Sequence, residues 1–234
     1  MTSLINQINR LQSLLLSSIP KGGLIFIFST ILVLVYSPIG NGQTIEQNFE
    51  TRISAALDYD AKYVSGLSIN FAPELRLSDN QQEYMLDWGA KYKVADFLKI
   101  GGEYKLVYLE SHSKGEMRHY FALQSTISHR IDRLNVYGRI KYSSYTDNID
   151  VGSGFLRFKG YLKYDIFGSR LSPLLGTEMF TLMENGQIVK YRYSAGLQYK
   201  INHQSRIKIQ YKIDYFKLKF KNNHILSIVY SFQL

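Results

Sequence analysis

Residues 206–215, RIKIQYKIDY, alternate strictly between apolar and polar side chains. Successive side chains of an extended strand point to opposite faces, so this segment has one face of Ile207, Ile209, Tyr211, Ile213 and Tyr215. Its other face carries Arg206, Lys208, Gln210, Lys212 and Asp214. A helix would mix the two sets around its circumference. The same period recurs along the chain from about residue 67. Leu67, Ile69, Phe71, Leu75 and Leu77 oppose Asn70, Glu74 and Arg76, and Tyr84, Leu86, Trp88, Ala90 and Tyr92 oppose Asp87 and Lys91. Leu98, Ile100, Tyr104, Leu106 and Tyr108 oppose Lys99, Glu103 and Lys105. Segments around Phe121, Ile140, Phe158, Leu175, Tyr193 and Ile228 repeat the pattern.

These segments predict ten antiparallel strands over 67–234, with twelve as the alternative count. The connections alternate in character. Ala95–Phe97, Asp132–Arg133 and Asn202–Gln204 are short, whereas Ser78–Gln82, His112–Met117, Asn148–Gly154, Glu184–Gln187 and Phe220–Asn223 are polar and longer. An even count places both chain ends on the short-turn side. Within Phe49–Tyr63, Ile53, Ala55, Leu57 and Tyr59 also alternate. That stretch reads as an extra strand or a lumen insert, and an extra strand would make the first and last strands parallel.

The period alone does not say which face is inside, because a soluble lipocalin-like barrel alternates too. The strand patterns run about 10–14 residues, whereas a tilted membrane strand needs about 9–11 and a soluble strand averages about 5–6. Tyr is abundant, 19 residues against 1 Trp, and lies near the ends of the apolar rows, where a ring with a polar tip suits a boundary between hydrocarbon and water. Large ions fill one face and nearly avoid the other. A mean hydropathy of -0.16 excludes a bundle of membrane-spanning helices. The expectation is a closed, up-and-down transmembrane β-barrel, since in lipid only closure satisfies every strand's N–H and C=O groups.

Residues 1–42 contain no acidic residue and read as a leader. Arg10 and Lys21 precede the apolar run Leu24–Tyr36, which is shorter than a membrane-spanning helix. Gly40 and Gly42 have the small-residue spacing of a peptidase site, so cleavage is expected after Gly42; an uncleaved anchor is the alternative. The expected organisation is a signal peptide (1–42), an N-terminal segment (43–66) and a barrel (67–234).

Pro73-Glu74-Leu75-Arg76, Arg118-His119-Tyr120 at a strand opening, Phe155-Leu156-Arg157-Phe158, Gly176-Thr177-Glu178-Met179-Phe180 and Tyr191-Arg192-Tyr193-Ser194-Ala195-Gly196-Leu197 together resemble the DUF2490 family of Bacteroidetes-type outer-membrane proteins. The resemblance spans about residues 49–234 and ends with the Tyr211 strand; Phe49 stands where members often have Trp. It implies an outer-membrane barrel with no assigned activity.

Chemistry is therefore sought on the polar face. By parity, cations outnumber acids there about three to one. Glu74, Asp87, Glu103, Glu178 and Asp214 are expected to pair with basic neighbours and fill the lumen. Arg139, Arg157, Arg192 and Lys208 are candidate contacts for a small anionic solute, which would make any channel narrow and anion-favouring. The chain has 0 Cys, no HExxH or EF-hand spacing and no GxSxG, so neither metal, cofactor nor catalytic site is expected. A membrane-edge enzyme using one of the 5 His residues is the alternative. The net charge of +9 is dispersed rather than clustered, which argues against nucleic acid. The expected partners are outer-membrane lipid and, through the apolar alternate positions of the C-terminal strand (Tyr230, Phe232, Leu234), the barrel-assembly machinery.

Overall fold

The computed structural model describes residues 46–78, 81–111, 114–144, 154–217 and 221–234. The expected leader, its cleavage point, His112 and the segment around Asn148 lie outside the described residues. The strands are β1 (Glu46–Asp60), β2 (Leu67–Ser78), β3 (Gln81–Ala95), β4 (Leu98–Ser111), β5 (Lys114–Ile131) and β6 (Leu134–Ser143). They continue with β7 (Phe155–Tyr164), β8 (Leu171–Leu182), β9 (Ile188–Lys200), β10 (Ser205–Phe216) and β11 (Lys221–Gln233). Each strand pairs with its sequence neighbours, and β1 pairs with β11 to close the sheet into a barrel.

The strand count is thus eleven among the described residues, which corrects both ten and twelve. The additional strand is β1, so the barrel begins at Glu46 rather than at residue 67. Its alternation of Ile53, Ala55, Leu57 and Tyr59 is as regular as that of the other strands, and it lies in register between Leu75–Ile69 of β2 and Ile228–Phe232 of β11. An odd count forces one parallel pairing. Neighbours from β1–β2 through β10–β11 are antiparallel, and β1–β11 is parallel, from Glu46↔Lys221 to Asp58↔Gln233. A purely antiparallel barrel is corrected accordingly.

The chain ends are corrected as well. β1 starts at the rim where β10 hands over to β11, and β11 finishes at the opposite rim, so the two termini of the barrel lie at opposite ends. The rim holding links 96–97 and 132–133 is called the turn end, and the rim holding link 144–154 the loop end. Loop lengths differ less than expected, because β2 resumes as β3 at Gln81 and β4 as β5 at Lys114. Lys221–Asn223, expected in a loop, opens β11.

Parity sorts the side chains as the alternation requires. Phe121 (63% exposed), Leu123 (66%), Ile209 (49%) and Tyr211 (46%) lie outside, and Arg192, Glu178 and Asp214 are buried inside. Val189 departs from the expected outward row. A register shift opposite Phe180/Thr181 turns it inward against Phe155 and Leu182. Gly196 permits close strand approach, because a Cβ there would meet the Ile209 carbonyl oxygen. Gly138 instead faces open space outside the barrel.

The parallel seam is fastened by side chains on both faces. Inside, Asn223 Nδ2 donates to Glu50 Oε2 (3.0 Å). Outside, the His224 ring stacks on Phe49 with centroids 5.1 Å apart. At the turn end, Leu234 N donates to the Asp58 carbonyl (2.8 Å) and Gln233 Nε2 to Asp60 Oδ2 (2.9 Å). Paired strand residues have the Cα spacing a disulfide needs, and the chain has 0 Cys to confuse the result. The double variant Ser54→Cys/Val229→Cys is expected to form an intramolecular disulfide, read by mass spectrometry of the oxidised protein. A ten-stranded closure of β2 on β11 would leave this pair reduced.

Candidate functional site in the lumen

The inward faces of adjacent strands bring acids and bases together in the middle of the barrel. Asp214 of β10 is fully buried and accepts a bidentate pair from Arg192, Nε to Oδ1 (2.5 Å) and Nη2 to Oδ2 (2.8 Å), while Lys190 Nζ reaches Oδ2 (2.8 Å). Arg192 and Asp214 are direct cross-strand partners, which makes the contact a consequence of register. Glu178 of β8 is held by Arg157 and Arg139, both at 3.1 Å. Glu103 pairs with Lys141, Asp87 with Lys105 (3.2 Å) and Glu74 with Arg76 (2.5 Å). The reading from parity overlooked two further carboxylates, Glu50 with Arg52 (2.5 Å) and Glu83 with Arg76 (3.4 Å). Glu50 belongs to β1, which had not been assigned to the wall, and Glu83 lies at a strand end.

Towards the loop end the lumen turns apolar. Met85, Val107 and Leu109 pack together with Tyr120 against them, and Phe155, Leu182 and Val189 form a second cluster. Phe180 is fully buried between these and the ions. Lys190 Nζ lies 4.4 Å from its ring centroid, the Arg157 guanidinium 4.6 Å and the Arg192 guanidinium 5.3 Å. A ring face attracts cations most strongly where water is excluded. The apolar inward residues occupy the polar parity of their strands, as exceptions to the alternation that become a plug only when the strands are aligned.

Towards the turn end the packing opens into a cavity of about 360 Å³. Its wall includes Lys91, Lys99, Arg139, Lys159 and Lys208, with the Tyr137 and Tyr161 rings in contact at 5.5 Å between centroids. Of the four candidate solute contacts, Arg157 and Arg192 are therefore committed to Glu178 and Asp214. Arg139 is shared between Glu178 and the cavity, and Lys208 faces the cavity. Lys91, Lys99 and Lys159 complete the cationic wall and had not been singled out. Below the cavity, Asp165 in the β7–β8 link ties three strands together. Burial pushes its carboxyl up, but hydrogen bonds from Ser172 Oγ (2.9 Å) and Asn135 Nδ2 (3.0 Å), with Lys163 at 3.3 Å, hold it below the ordinary carboxylate range.

On the outer face, His119 Nδ1 meets the Tyr104 hydroxyl and His224 Nδ1 the Tyr211 hydroxyl, each at 2.5 Å. Both pairs sit in the loop-end half of the barrel. His224, expected in a loop, is a β11 residue paired with Ile213. His224 also meets Gln47 Oε1 through Nε2 (2.5 Å), so its ring is held on both sides, across β10 and across the β1 seam.

These features define a closed β-barrel with an ion-paired, partly plugged lumen. Within that class the chain belongs to the DUF2490 family, described as a protein of unknown function, whose sequence profile matches residues 47–224. The match starts inside β1, in keeping with β1 as part of the wall. No curated protein matches the chain.

Removing one partner of a buried ion pair strands the other, at a cost of about 3–5 kcal/mol, while replacing all partners by apolar groups is often neutral. Asp214→Asn is expected to lower the unfolding free energy by about that amount in a denaturant titration. Adding Lys190→Met and Arg192→Leu to Asp214→Leu should recover most of the loss.

Proposed function

We propose that this chain is an outer-membrane β-barrel protein, delivered by a cleaved leader, whose lumen is filled rather than open. The reading rests on one observation: every strand of a closed barrel turns its aliphatic and aromatic row outward and its ions inward. A monomer in water rarely exposes a contiguous apolar patch above a few hundred Å². A lipocalin-like soluble barrel would have the opposite polarity, with its apolar row enclosing a ligand. Strands of 10–18 residues also suit a tilted crossing of hydrocarbon. Outer-membrane lipid is the first partner, and the outward row Leu226, Ile228, Tyr230 and Phe232 of β11 is the surface offered to the assembly machinery. The role is structural, without a catalytic step, and any conduction is confined to small anions by the cationic lumen.

Ile209→Arg places a charge against acyl chains, at a cost of about 2–4 kcal/mol at mid-bilayer. It is expected to block assembly far more than Lys208→Ile, scored by heat-modifiable gel migration; equal tolerance would reject the orientation. In planar bilayers the unaltered protein should show no steady current. Thinning the plug with Phe180→Ala and Leu109→Ala should open a current that favours anions, and a cation-selective current would reject the lumen reading.

A further inference from the structure

The turn-end cavity differs from the rest of the lumen in the sign of its wall. In the middle of the barrel Glu74, Asp87, Glu103, Glu178 and Asp214 interleave with the cations, each in an ion pair. Among the described residues the cavity wall has five cations, Lys91, Lys99, Arg139, Lys159 and Lys208, and no carboxylate. Among the described residues, no ion pair or hydrogen bond reaches the ammonium groups of the four lysines. Lys159 lies directly across from Glu178 on β8 without an ion pair to it, and its ammonium rests over the face of Tyr161, 5.6 Å away. Arg139 gives Nη2 to Glu178 but its buried Nε has no partner.

Such a wall is costly when empty. Five cations in a low-dielectric pocket repel one another, Glu178 offsets this only at the Arg139 and Lys159 side, and an entering counter-charge lowers the rest of the cost. The register makes the arrangement specific. Arg139 and Lys159 are direct cross-strand partners, as are Gln198 and Lys208. The volume falls at the lower end of small-molecule pockets.

We propose that this cavity is a binding site for a soluble, multiply charged oxyanion of the phosphate or polyphosphate class, entering from the turn end. Lysine ammoniums act as point charges, and the free Nε of Arg139 supplies a directed donor, a combination suited to oxygens carrying several negative charges. The apolar plug closes the far end, so the site is a pocket and not a passage. The inference deepens the anion-favouring lumen of the proposed function and rests on it, but it does not require conduction.

The test uses the folded, detergent-solubilised chain titrated with inorganic pyrophosphate by calorimetry, alongside heat-modifiable migration of the same sample. Saturable binding that weakens as salt rises is expected. Lys159→Gln/Lys208→Gln should weaken it on the order of tenfold or more, while Lys200→Gln, outside the cavity, should leave it unchanged. Heat-modifiable protein that binds no pyrophosphate, or whose binding is unmoved by the double variant, overturns the site and leaves the membrane reading standing. Loss of heat-modifiability with intact, Lys159-dependent binding does the reverse. A dioctanoyl phosphatidic acid arm separates the two sources of phosphate: binding of that lipid alone overturns a soluble ligand.

Discussion

The hydrogen-bonded closure of β1 on β11 is the constraint from which the rest follows. A sheet with free edges leaves a row of unpaired N–H and C=O groups, which neither lipid nor a tightly packed interior tolerates. Once the ring is shut, each side chain has two destinations, and parity assigns them. The register then decides which ions meet. Arg192 faces Asp214 and Lys105 faces Asp87 because the strands align there, and no loop has to deliver them. Eleven strands close only if one pair runs parallel, and this chain concentrates stacking, side-chain hydrogen bonds and a backbone bond from Leu234 at that seam.

The lumen is organised in three layers along its axis. Apolar groups fill the loop end, interleaved acids and bases the middle, and a wall whose charged members are all cations the turn end. Phe180 joins the first two, since its ring serves as both apolar filler and the face on which three cations rest. Buried ion pairs contribute little net stability compared with apolar packing, but they penalise any register that separates them. Their distribution over many strands therefore fixes the alignment of the whole ring.

Much of this was legible in the sequence. Alternation located ten of the strands and their faces, because a period of two survives any amount of sheet curvature. The five acids singled out as lumen partners are each in an ion pair. β1 was visible as Ile53, Ala55, Leu57 and Tyr59, yet arithmetic weighed against it, since an even count avoids a parallel pair. The plug was hidden because an apolar residue on the polar parity reads as noise in a single strand. Met85, Val107 and Leu109 become a cluster only when β3 and β4 are aligned. The division of Arg139, Arg157, Arg192 and Lys208 into committed and available groups was beyond the sequence, because it depends on which carboxylate each reaches across neighbouring strands.

The opposed termini carry a consequence for how the barrel forms. β1 leaves the ribosome first, yet its bonding partner on one side is made last, about the whole length of the barrel later. Hairpins from β2 onward zip up with local neighbours at small entropic cost, whereas the seam closes the largest loop in the molecule. Until the final strand arrives, one edge of β1 is a reactive template, and whatever escorts the nascent chain has to shield that edge in particular.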